Sequence, residues 1–470
     1  MRSENMITDK QLRGRDWCIV LMCIIIPLFS FCYMDTHSII RCGTDVFRSI
    51  FAGRFDDFYA FAKESQLAGL MGHEPTYDII FYLTVGIWEL PVAVIETVLH
   101  VSFVRNAFVI IYSKTLLLLF VVLSAEMVRR IARELGISEQ NAKWAKYMFL
   151  TSGFICAYTC IAGQYDIMGV FFSLVGVYYY LKGDMKKFRL LFIVAVQYKF
   201  FPVFVFLPLL LLREKNIKKI ILYLAGPVIS ILLFRIPFMD DGIAIVEKNA
   251  INADMVDRIF GNRIAIFETE IPLSFLFAGA VCIWCYLKDV DAEVQKYYAV
   301  WVPFLSLGLL FMSFPFFPYW IVYLTPWIPL LYYMRNDMTE RFFWIETGMT
   351  VSIMLAQFSH FYWVFEIDNT KNLLLDLVYR FERIDNPLML ADVMCALDID
   401  DYEFLFYGLF MLCLAFLIVL LRPKKEIMYK NDVFDSRRVL YGRFVIQYLT
   451  GALPVFLYIC SVLRNMMIGT

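Results

Sequence analysis

Acids and bases crowd one stretch near the start of this chain. Asp35, Asp45, Asp56, Asp57, Glu64, Glu74 and Asp78 follow the first apolar run, with Arg41, Arg48 and Arg54 among them. Asp35 stands one residue past that run, in Met34-Asp35-Thr36-His37-Ser38. A carboxylate at such a boundary is partly desolvated, which raises its basicity, and it still meets substrate arriving from water. A polar helix terminus accounts for the same residue without chemistry. Asp45 lies within Ile39 to Ala52, whose Ile40, Val46, Phe47, Ile50 and Phe51 suit an interfacial helix. A solvated helix face explains it as well as a function does. Asp56 and Asp57 precede Phe58, Tyr59 and Phe61, a patch read more readily as a headgroup anchor than as a stacking surface for sugar.

Cations that could meet an anionic group come later. Between Phe188 and Leu212 the chain is almost wholly apolar, and Pro202 breaks it beside Gln197-Tyr198-Lys199. An intramembrane ammonium is a functional candidate by default, with a lipid phosphate as its natural partner and snorkelling to the headgroups as the plain alternative. Arg235, before Ile236-Pro237-Phe238, is a second cation at the same depth, and its fork suits bidentate phosphate binding. Gly163-Gln164-Tyr165-Asp166 forms a very short turn. Turn chemistry explains its Gly and Asp but not the clustering of Gln164, Tyr165 and Asp166 at the mouth of a helix pair. Phe314 to Trp320, with two prolines, reads as belt aromatics or a groove wall. The four histidines show no metal-ligand spacing, and no phosphate-loop, nucleophile-elbow or dinucleotide motif occurs.

The elements that must position these residues are membrane helices. The chain is 60% hydrophobic and 19% charged, with a mean hydropathy of +0.64, which excludes an ordinary soluble domain. A net charge of -1 gives no reason to expect nucleic acid. Apolar runs mark spans near 17–34, 106–128, 147–162, 167–181, 188–212 (a bent pair), 219–236, 271–287, 297–314, 318–334, 342–363, 402–421 and 442–462. At about 20 residues per crossing, this predicts an all-α polytopic transmembrane bundle of about 13 spans. The first run has no small-residue cleavage site and reads as a retained span.

Residues 78–99 are long enough to cross, but the charge distribution argues for a helix along the outer interface. With that placement the inner segments carry 27 Lys or Arg and the longer outer ones 12. The N-terminus is then inside, and 35–105, 237–270 and 364–401 are outer loops. Residues 1–236 form the module with the informative polar groups, and 237–470 a carboxy-terminal transmembrane module. Cys282 and Cys285 read as packing residues, and a disulfide between Cys42 and Cys395 is an open option.

The order of these features resembles the C-type (GT-C) integral-membrane glycosyltransferases that use polyprenyl- or dolichyl-phosphate sugars, including bacterial relatives of the GPI mannosyltransferases. The resemblance rests on Asp35 with Asp45 after the first span, the 78–99 helix, Gln164-Tyr165-Asp166, and Tyr198-Lys199 with Pro202 and Pro208. It covers roughly residues 17 to 240. The chain departs from the family in having Thr76-Tyr77-Asp78-Ile79-Ile80 where eukaryotic relatives often carry D-Y-P-P, and in lacking a tight D-x-D or D-E pair in the first outer loop.

The resemblance implies inverting transfer of a mannose- or glucose-type hexose from a polyprenyl phosphate to a glycan, lipid or protein acceptor. Transfer would take place at the outer face of a bacterial plasma membrane. Asp35, or else Asp45 or Asp78, would take the acceptor proton. Lys199, Arg235 and Arg41 would hold the donor phosphate, or a divalent cation such as magnesium or manganese would assist. Gln164, Tyr165, Asp166 and Tyr198 would place the sugar or acceptor. A flippase or transporter of lipid-linked sugars is the non-catalytic alternative, and an outer-face polysaccharide polymerase the enzymatic one.

Overall fold

The computed structural model describes residues 14–103, 106–335, 337, 340–360, 370–372, 388–423 and 434–468. The chain is mostly helical. Four described helical segments are long and apolar enough to cross a bilayer: Ile79–Leu99, Ala107–Glu134, Ile217–Phe238 and Asp400–Leu420. Ile167–Leu181, Val203–Arg213 and Leu273–Leu287 are shorter apolar helices. Most of the expected 364–401 loop lies outside the described residues.

Three expected spans are interrupted. The first helix, Gly14–Ser30, holds Pro27 and stops before the end of its apolar run. Phe31–Tyr33 then pairs as an antiparallel strand with Thr370–Asn372, and a new helix begins at Met34. Asp35 therefore opens a second helix instead of ending the first. The run at 147–162 is divided between helix Glu139–Leu150 and a π-helical turn, Ile155–Ile161. The run at 318–334 becomes a 3-10 turn, Pro318–Tyr323, followed by helix Trp327–Tyr333, with Pro326 between them. Hydropathy reported burial in these runs, and the breakers within them set the local geometry.

The chain forms two compact units: Met1–Tyr33, Val128–Gly163 and Ile328–Thr470 in one, Met34–Met127 and Gln164–Trp327 in the other. This interleaved division differs from the expected cut at residue 236. Cys42, expected in the second unit's outer loop, is a buried free thiol, and Cys395 of the first unit is an exposed free thiol. The first unit is pinned by a buried pair in which Arg443 meets Glu346, which also accepts from Ser152.

In the second unit, helix Met34–Phe51 packs along helix Ile79–Leu99. The solvated face that is the plain reading of Asp45 gives way here, because Ser38 to Val46 are all buried. Two glycines permit the close crossing. A Cβ on Gly43 would lie 2.6 Å from Val85 Cγ1, and one on Gly86 would lie 2.8 Å from the Gly43 carbonyl. Gly43→Val is therefore expected to force the helices apart at about 1–3 kcal/mol, the usual cost of overpacking. The change reads out as a lowered Tm in detergent. Gly279→Ala, whose added Cβ meets nothing within 4 Å, serves as the tolerated control. Equal Tm for both variants would disprove the close-crossing account.

Candidate functional site

Four separate stretches converge at one place in the second unit: the start of helix 34–51, the loop at 72–78, the turn at 164–166 and the helix break at 199. Asp35 lies in the first turn of its helix, where a carboxylate favours the positive end of the dipole. Its Oδ2 accepts from Gln164 Nε2 at 3.0 Å, and its Oδ1 lies 3.4 Å from His73 Nε2. One helical turn on, Ser38 Oγ accepts from the amides of Gly72 and His73 at 3.1 and 3.3 Å, which holds the loop against the helix. The Asp35 side chain remains 24% exposed.

His73 Nδ1 lies 2.8 Å from the Glu74 carbonyl, an acceptor, so Nδ1 carries the proton of the neutral ring. Nε2 then donates to Asp35 when the ring is an imidazolium. Burial lowers the affinity of this ring for its second proton, but the hydrogen bond and charge of Asp35 outweigh burial. The net result is a pKa above the ordinary histidine value. The sign of the linkage follows: this stabilisation is complete below the unfolded pKa and is lost as pH rises through the folded one. Raising the pH from about 6 to about 9 is expected to lower Tm in the wild type. His73→Gln should flatten that fall, and an unchanged pH dependence in the variant would refute the pairing.

Lys199 comes into place because helix Met185–Tyr198 ends before it. Its backbone is extended, and Pro202 leads into helix Val203–Arg213. Its Nζ lies 2.9 and 3.2 Å from the two carboxylate oxygens of Asp166. The rings of Tyr319, Tyr77 and Trp320 surround it at 4.9, 5.5 and 5.5 Å. Each such contact is worth roughly 0.5–2 kcal/mol. Burial pushes the Asp166 carboxyl above its usual range, against the opposing effect of Lys199. Gln164 Oε1, Trp320 Nε1 and Tyr323 Oη are buried without a hydrogen-bond partner among the described residues. Those groups give the site unspent polar capacity for a ligand.

A second charged cluster adjoins the first through consecutive residues, Tyr77 and Asp78. Arg235 binds Asp78 through two parallel bonds of 2.9 Å. Lys248, itself buried, reaches the same carboxylate at 2.7 Å and sits over the Tyr59 ring at 4.8 Å. Burial raises the Asp78 pKa, but the Arg235 hydrogen bonds and the Lys248 charge prevail and hold the carboxyl below its usual range. Two cations on one carboxylate leave an excess positive charge, with Arg235 still 42% exposed. Asp78 and Asp166 both occupy N-cap positions, and neither side chain makes a capping bond. Each carboxylate has been turned over to a cation instead.

The geometry separates the three candidate bases. Asp78 has lowered basicity and two cationic partners, which makes it a poor proton acceptor. Asp45 is fully buried, with Arg41 at 3.0 Å and Arg48 at 2.8 Å, so no substrate reaches it. Asp35 combines access with orienting partners. Arg41 does not face a donor phosphate: it is 1% exposed and spent on Asp45, Glu96 and Ser65. The expected sugar contacts Tyr165 and Tyr198 also face inward. Tyr165 meets Phe81 edge-on, and Tyr198 stacks on Phe172 with its hydroxyl 2.9 Å from Thr84 Oγ1. Phe58 and Tyr59 are buried against Phe238, so they serve neither as a headgroup anchor nor as a sugar platform.

Asp35, Gln164, Asp166 and Lys199 are thus brought together. His73, Tyr77, Tyr323 and Lys248 join them without having been singled out. The signal that could have found the first two is the compact Gly72-His73-Glu74-Pro75 stretch between apolar elements, a composition suited to an ordered loop. As for the expected divalent cation, no group of three or more His, Cys, Asp or Glu side chains converges among the described residues. The chain matches no family model, no curated protein and no solved structure.

Proposed function

We propose that this chain is a GT-C-like membrane glycosyltransferase of about 13 spans, moving a hexose from a polyprenyl phosphate to an acceptor hydroxyl at the outer face. The observation that carries the reading is the placement of an accessible, oriented carboxylate, Asp35, beside a net-positive cluster and an aromatic-walled lysine.

In this mechanism the acceptor oxygen attacks the anomeric carbon while Asp35 takes its proton. The bond from that carbon to the phosphate oxygen breaks, and polyprenyl phosphate departs with the electron pair. Arg235, oriented by Asp78 and still partly exposed, meets the charge that grows on the departing phosphate. A preorganised interaction of this kind is worth about 2.7–4 kcal/mol in the transition state. Gln164 holds Asp35 in orientation, and Lys199 with Asp166 places polar sugar groups between aromatic walls. Attack opposite the leaving group inverts the anomeric centre.

The test is transfer by the purified chain in nanodiscs with radiolabelled polyprenyl-phosphate mannose and glucose and a panel of alcohol acceptors. Labelled product with release of polyprenyl phosphate is expected. Donor binding without turnover on any acceptor would replace this reading with a flippase or transporter of lipid-linked sugars.

A further inference from the structure

A second cavity, of about 470 Å3, opens beside helix 34–51, and Arg41, Arg48, Phe51, Phe61, His100 and Ser102 line it. Arg48 lies thirteen residues beyond Asp35, about 20 Å along the helix axis at 1.5 Å per residue. This cavity is therefore separate from the site built around Asp35.

Its acids are already occupied. Glu96 accepts from Arg41 at 3.0 Å and from the amide of Phe103, and Asp45 is held between Arg41 and Arg48. What faces the cavity is a set of donors. Arg48 donates to Asp45 through Nη1 alone, so Nε and Nη2 have no partner among the described residues. Ser102 adds a hydroxyl, and His100, in the left-handed region at φ 53°, adds an exposed imidazole. Donors without matching acceptors call for an oxygen-rich anion. The two guanidiniums and the two carboxylates balance in formal charge, and burial, which pushes the Asp45 carboxyl up to about 7, tips that balance toward the cations near neutral pH.

The mouth is apolar. Phe51 and Val101 are about half exposed there, beside a helix long and apolar enough to cross a bilayer. A cationic floor beneath an apolar rim matches an amphiphile better than a free anion.

We propose that this cleft binds the anionic headgroup of a phospholipid, with Arg48 and His100 on the phosphate and Phe51 and Val101 against the acyl chains. The site does not depend on the transferase reading. Its test reads lipid binding and not sugar transfer, so each can fail without the other.

The full chain, purified in detergent, is titrated with dioleoylphosphatidylglycerol, dioleoylphosphatidylcholine or inorganic phosphate, and bound lipid is counted by native mass spectrometry. The wild type is expected to retain phosphatidylglycerol in preference to phosphatidylcholine. The double variant Arg48→Gln, His100→Gly should bind phosphatidylglycerol about tenfold more weakly, as the loss of one charged hydrogen bond predicts. Ala52→Trp fills the cleft without touching the ion pairs and should have the same effect on a folded chain. Equal phosphatidylglycerol binding by the wild type and Ala52→Trp overturns the proposal. Displacement of the lipid by inorganic phosphate at matched concentration also overturns it, in favour of a free-anion site. Equal binding of both lipids overturns it in favour of a purely apolar groove.

Discussion

Asp35→Asn is expected to lower the rate of sugar transfer by about 10²–10⁴-fold, the usual contribution of a positioned general base, and to leave the chain folded. The amide has the shape of the carboxylate, and its oxygen can still accept from Gln164 Nε2. It cannot take the acceptor proton. It also removes the charge that holds His73 as an imidazolium, so the pH dependence of Tm should flatten along with the loss of rate. Single-turnover transfer of a labelled hexose measures the chemical step apart from binding. Donor affinity should stay near the wild-type value, because the departing phosphate is met by Arg235. A rate within a few-fold of the wild type would remove Asp35 from the mechanism.

Arg41→Met is expected to be the most damaging single change in the second unit for stability, and for a reason unrelated to substrate. Arg41 lies among Asp45, Glu96 and Ser65, all buried. Replacing it leaves the buried Glu96 without a counter-charge and Asp45 with Arg48 alone, and breaking a buried pair in this way costs about 3–5 kcal/mol. The loss should appear as a lowered Tm with early aggregation. It should also depend on pH in a defined direction. Burial already raises the Asp45 carboxyl and Arg41 opposes that rise, so without Arg41 the deficit narrows as pH falls and widens as it rises. Arg41→Lys keeps the charge but not the fork that spans both carboxylates, and should fall between the two. If Arg41→Met keeps the wild-type Tm and instead weakens donor binding, Arg41 is the phosphate contact that the sequence suggested.

The contrast between Asp35 and Arg41 shows how far the sequence could be read. Asp35, Gln164, Asp166 and Lys199 stand at discontinuities visible in the chain: the end of an apolar run, a glycine turn and a proline break. A polar residue at such a point is distinctive by its position alone. Arg41 and Asp45 stand in a segment of mixed polarity, and that composition fits a solvated interfacial helix as well as a buried one. Their burial depends on Glu96, from a helix distant in sequence, and on two glycines whose role appears when the backbones meet. Lys248 carried no local signal, since one lysine in a polar segment resembles another until its partner is placed.

Read along the chain, the residues show that it is mostly helical and apolar, where proline and glycine interrupt it, and which polar residues stand at those interruptions. These are consequences of local sterics and of the cost of burying polar groups, and both are readable along one dimension. The tertiary structure decided which carboxylate stays accessible and which cations it keeps company with. It also decided which charges are spent holding helices together. Those outcomes depend on desolvation and on pairings between distant segments, and no spacing within a single segment encodes them.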